Sequence, residues 1–183
     1  MEMRPQLQIQ TIIKAIMEDI LPALDQTNQL AMQSAQLAIG TLTLISQHLP
    51  LEYRYDCDEL TRLVDAAETL QQQARGGEQT ESAVKALETA AALSRDVLDR
   101  ARAEPGELLS AIHQMRAATA DTVRAVYAEG DESTQSSVQD TILTMSKAQL
   151  LRDRSWLLMQ GWEPDPKAVS AIDTLLTPVS AAR

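Results

Sequence analysis

Few residues in this chain could do chemistry, and most of them lie in one stretch. Residues 47–60, "QHLPLEYRYDCDEL", hold His48, the single cysteine Cys57, Tyr53 and Tyr55, and four acids. A cysteine at a helix N-terminus has its thiolate favoured by the helix dipole, which is how many nucleophilic cysteines are activated. Here Asp56 and Asp58 flank the sulfur, and adjacent negative charge raises a thiol pKa. His48 lies upstream across Pro50, and nothing in the spacing sets it beside the sulfur. The stretch therefore reads as a joint between two helices. Pro50 ends the first, "LEYRY" crosses over in extended form, and Asp56 or Asp58 caps the next, where free N–H groups need acceptors.

Metal and nucleotide chemistry find no foothold. A di-iron bundle needs Glu-x-x-His pairs, because residues three apart on a helix project into one cavity. The residues three before His48 and His113 are Ile45 and Ser110. One cysteine and two histidines cannot supply the usual zinc set. The chain has no G-x-G-x-x-G, no G-x-x-x-x-G-K-[ST] and no G-x-S-x-G. The expectation is no metal, no cofactor and a non-enzymatic protein.

His113 sits in "IHQMRAA", residues 112–118. This short segment resembles the H-x-[apolar]-[Lys/Arg]-G pattern around the phosphorylated histidine of histidine-phosphotransfer domains. The resemblance implies a four-helix bundle with His113 exposed in mid-helix and Arg116, one turn on, holding the phosphoryl group. Ala117 stands where that family has glycine, whose small size admits the partner. The other reading of His113 is an ordinary helix-surface histidine.

The aromatic residues gather at two places, Tyr53 with Tyr55 and Trp156 with Trp162. In a chain with no Phe, such side chains plug the ends of a helical bundle. Alternatively they border an inter-helix pocket for an apolar or acyl ligand.

The elements that must position these residues are helices. Leu, Ala, Ile, Val and Met supply the apolar content (44% hydrophobic, 3% aromatic), and strong helix formers dominate. Ile9, Ile12, Ile13, Ile16 and Ile20 make a stripe from Pro5 to Leu21, which Pro22 ends or kinks. A second helix is expected from Asp25 to Leu49, apolar on most sides and so central, with Gly40 admitting a close neighbour. Leu60, Leu63, Val64, Ala67 and Leu70 lead the third, up to the "RGG" stop at residues 75–77. A fourth from Thr80 carries the seam Val84, Leu87, Ala91, Ser94, Leu98, and Pro105–Gly106 breaks it. A fifth buries Leu108, Ile112, Met115 and Val126. The sixth, from Ser133 to Gln160, puts Val138, Ile142, Met145, Arg152 and Trp156 on one face. A short last helix follows Asp165–Pro166. The prediction is an all-α, antiparallel bundle of about six longer helices plus a short C-terminal one. It forms one domain over 1–183, with Gly76–Gly77 as the candidate hinge between halves 1–75 and 78–183.

The formal charge is −10 and the pI about 4.6. Such a field repels nucleic acid, and no basic helix face is evident for a membrane surface. One cysteine makes no internal disulfide, and "MEMRPQLQIQ" lacks the apolar core of a secretory signal, so a cytoplasmic protein is expected. The wide apolar stripes of the first two helices ask for more neighbours than one. The leading expectation is a protein that works by association, as a homodimer or with a protein partner. Binding of an apolar small molecule and phosphotransfer through His113 are the alternatives.

Overall fold

The computed structural model describes residues 4–100 and 103–176, Met159 through its backbone only. The fold is all-α, and the described residues contain no strand. The chain divides into two compact units, one of residues 1–52 with 154–169, the other of 53–153 with 170–183.

In the first unit, Pro5 starts α1 (Pro5–Ala15), where its missing N–H is no loss. A π-helical turn, Ile16–Ile20, and α2, Leu21–Ala23, extend it. Pro22 accounts for the widened turn. Its ring would clash with the carbonyl four residues back and it has no N–H to donate there; the Leu21 N–H reaches back five residues to Ile16 instead. Helix α3 (Gln29–His48) begins four residues later than the spacing predicts. The reason is local side-chain chemistry. Asp25 Oδ1 accepts from the Thr27 N–H (2.9 Å) and hydroxyl (2.7 Å), closing a turn, and Asn28 then caps the helix through the Ala31 N–H at 3.1 Å. Gln6 Nε2 donates to the carbonyl of the buried Ser46 (3.4 Å), tying α1 to α3. The chain re-enters this unit at Arg154. A 3-10 turn, Leu158–Gln160, ends at Gly161, whose φ of 71° is the left-handed conformation glycine adopts without strain. Asp165 Oδ1 caps a second 3-10 turn, Pro166–Ala168, through the Lys167 N–H.

The expectation that the second helix is central is corrected. Within α3 only Ser46 is fully buried. Among the described residues, a Cβ built on Gly40 would meet nothing within 4 Å, so none of them uses that gap.

The second unit holds the core. Helices α4 (Glu52–Gln73), α5 (Glu78–Asp99), α6 (Pro105–Glu129) and α7 (Glu132–Trp156, to Asp153 in this unit) run up and down. Cross-links fix the antiparallel sense. Thr80 and Arg100 of the α5 side meet Glu129 and Glu107 of α6, while Tyr55 and Gln73 of α4 meet Gln149 and Thr141 of α7. Leu60, Val64, Ala67 and Leu70 of α4 pack with Leu87 and Ala91, Leu108, Ile112, Met115 and Val126, and Val138. This is the apolar stripe expected on each helix.

Carboxylates cap these helices. Glu104 and Glu107 form a capping box at the start of α6. Asp131 accepts from the Thr134 N–H at the start of α7 (2.7 Å). Glu129, from the far end of α6, accepts from the Gln79 and Thr80 N–H groups at the start of α5. Gly130 lets this corner close, since a Cβ there would lie 2.7 Å from the Val126 carbonyl oxygen and 3.0 Å from that of Arg75. Gly76–Gly77, the candidate hinge, lies inside this unit as the turn from α4 to α5. The short helix α8 (Ile172–Leu175) completes the unit.

Candidate functional site

The stretch that opened the sequence reading is helical from Glu52, so Tyr53, Tyr55, Asp56 and Cys57 belong to the first turns of α4. The expected extended crossing and the Asp56 or Asp58 cap are therefore corrected. Asp58 is not a cap but a buried carboxylate within the helix. Its partner lies on another helix. Arg152 on α7 is 1% exposed, and its Nε lies 3.2 Å from Asp58 Oδ2, an ionic contact without hydrogen-bond alignment. The helix begins one turn earlier than expected, and Asp58 lies in its second turn facing Arg152.

A network surrounds the pair. The Arg152 guanidinium donates to Gln149 Oε1 (2.7 Å) and to the Tyr55 carbonyl (3.1 Å), and lies 4.4 Å from the Tyr55 ring centre as a cation–π contact. The Tyr55 hydroxyl donates to Asp153 (2.8 Å) and accepts from Gln149 (3.0 Å). Burial pushes the Tyr55 phenol up, and the Asp153 carboxylate adds to this. Arg62 donates to Asp58 from the solvent side (2.8 Å) and to the Leu175 carbonyl (3.0 Å), while Arg54 donates to that of Leu176 (3.0 Å). The network thus fastens the α8 segment to α4. Arg152 falls on the apolar stripe of α7 in the sequence, and that misplaced charge was the available signal; its partner, ninety-odd residues away, was not visible.

The other candidates are distributed as follows. Cys57 is half-buried, and burial pushes its thiol up, the Tyr53 hydrogen bond acts the other way and Asp56 raises it again. The sulfur is therefore a thiol at neutral pH. Tyr53 is exposed. In the first unit, Trp156 stacks on His48 with ring centres 3.9 Å apart, and burial lowers the His48 pKa against a bond to the Trp156 backbone that raises it. Trp162 is 73% exposed. Tyr53 and Tyr55 belong to one unit, Trp156 and Trp162 to the other. His113 is exposed on α6, and the Arg116 guanidinium beside it is bound to Glu59 of α4. Among the described residues no three of His, Cys, Asp and Glu converge on a metal-sized space.

The first unit carries a feature of another kind. Leu30 (76% exposed), Leu37 (64%) and Ile45 lie seven and eight residues apart, on one side of α3. The adjoining face, with Ala31, Ala35, Ala38 and Leu42, is partly buried. Leu7, Ile12, Met17 and Ile20 are exposed along the preceding helical segment. Between Asp25 and Glu52 the sequence has no Asp, Glu, Lys or Arg at all. No described helix is long and apolar enough to cross a membrane. Searches of protein families, curated proteins and solved structures find no match to this chain.

Proposed function

We propose that the protein works by helix-mediated association, and that the partner on the exposed face of α3 is a second copy of this chain. One observation carries this reading: the exposed leucines of α3 lie in a stretch, residues 26–51, without a single charged side chain in a protein of net charge −10. Buried centres of protein interfaces are depleted in charge and rich in apolar groups. Two copies of an acidic protein repel, so they can meet with least cost where charge is absent. A two-fold contact sets the same patch against itself, and a charge-free patch brings no like charges together.

The test is the mass in solution. Light scattering coupled to size exclusion is expected to give a dimer for the unaltered chain. Leu37→Glu is expected to give a monomer with unchanged helix content, because the side chain is exposed in the single chain. Burial of a leucine stabilises by about 1.5–3 kcal/mol, and a two-fold interface counts the loss twice. Dimerisation should therefore weaken by at least about a hundredfold. An unaltered chain that stays monomeric at all concentrations sinks the reading.

A further inference from the structure

A groove of about 540 Å³ runs between α4 and α7 in the second unit. It extends from Glu59 and Gln149 at one end to Gln73 and Ser137 at the other. Its lining on α4 spans Glu59 to Gln73, so at 1.5 Å per residue its length is about 21 Å, or four helical turns. Its apolar lining is Leu63, Ala66, Met145 and Ala148, and the small residues among them leave room for another backbone. Asp65 and Asp140 line it as exposed side chains, one from each helix.

The charges of this groove are unbalanced. Glu59 is held by Arg116, and the only cation in the lining, Arg62, is held by Asp58 and the Leu175 carbonyl. Among the described residues no ion pair engages Asp65 or Asp140. A small molecule is normally enclosed over most of its surface, and a long trough with exposed Thr69 and Thr144 on its edges does not enclose one. An amphipathic helix fits such a trough, with its apolar side inward and anchors at i, i+3, i+4 and i+7. The flanking carboxylates ask that its polar side be basic. The α3 face, which has no cation, does not answer that demand.

We propose that the α4–α7 groove docks a basic amphipathic helix of a partner protein. The groove shares no residue with the α3 face, so either proposal can fail alone.

The test uses the full chain and a fluorescently labelled amphipathic helical peptide of Leu and Lys, read by anisotropy. Controls are the same composition scrambled to remove the amphipathic face, and the peptide with Glu for Lys. Saturable binding of the Leu/Lys helix alone is expected, weakening as salt rises. The double change Asp65→Lys with Asp140→Lys should weaken it at least about tenfold. Glu88→Lys with Asp121→Lys, which alters net charge equally on helices that do not line the groove, should change it less than about twofold. Ala66→Trp, filling the trough, should also abolish binding; the lysine pair, being exposed, decides the matter if that variant misfolds. No binding of the Leu/Lys helix, equal binding of the scrambled peptide, or equal losses in the two lysine pairs overturns the proposal.

Discussion

A guanidinium in the middle of an apolar stripe is costly unless a partner and hydrogen bonds meet it, and Arg152 has both. Removing one member of a buried ion pair commonly costs about 3–5 kcal/mol, since the other charge is left in a poor solvent. Here Asp58 keeps Arg62 as a second partner, so Arg152→Met is expected to destabilise by roughly 3 kcal/mol. Arg62 is 39% exposed at its side chain, and Arg62→Met should cost about 1 kcal/mol or less. Urea unfolding of the two variants measures the contrast; equal losses would deny that burial sets the difference. His48 gives a second prediction at this scale. Its folded pKa lies below 6.5, chiefly through burial. Between that folded value and about 6.5 the unfolded chain binds more protons, so stability falls as pH drops through the window. In a Trp162→Phe background, Trp156 emission should titrate with a midpoint below 6.5, because the stacked imidazole protonates there. A midpoint at or above 6.5 contradicts the assignment.

Helix ends decide how the elements begin and stop. Glu129 is held as a carboxylate mainly by the Thr80 N–H, so its pKa is lowered. A depressed carboxylate contributes stability that is present above its unfolded value, near 4.5, and is lost as pH falls through the folded one. Glu129→Gln is therefore expected to lower the melting temperature at neutral pH, with the gap to the unaltered protein closing on acidification. A gap independent of pH would mean that the carboxylate charge has no part in the cap. The helices themselves were legible in the sequence wherever apolar residues recurred at three and four. A boundary was legible where a single residue dictates it, as at Pro5. But α7 stops at Trp156 rather than Gln160, so Gly161 ends only a 3-10 turn, and Asp165 caps another 3-10 turn while the last helix begins at Ile172. Boundaries were missed where side chains compete. Asp25 and Asn28 delay α3, and α4 begins at Glu52 although Asp56 and Asp58 offer caps one turn later.

Charge acts at the scale of the whole molecule, and it gives the two proposed surfaces opposite responses to salt. Self-association brings together two bodies of charge −10, so added salt should tighten it by screening repulsion. Docking of a basic helix in the α4–α7 groove is an attraction between opposite charges, so the same salt should weaken it. Sedimentation and anisotropy across one salt series separate the two effects. A dimer that dissociates as salt rises would contradict the charge-free face of α3 as its interface.

Composition and periodicity alone determined that this chain is helical, that it lacks the common metal and nucleotide motifs, and which stripe of each bundle helix is inward. These follow from local rules, since propensity, helical spacing and motif spacing are properties of neighbouring residues. Which stripes are actually covered was decided by tertiary structure. The stripe of α3 looks as apolar in sequence as that of α4, yet α4 is packed against three helices and α3 leaves Leu30 and Leu37 open. The meaning of residues 47–60 was decided there too. Asp58 takes its role from Arg152, and a contact between residues so far apart in the chain depends on how the helices pack rather than on any local pattern.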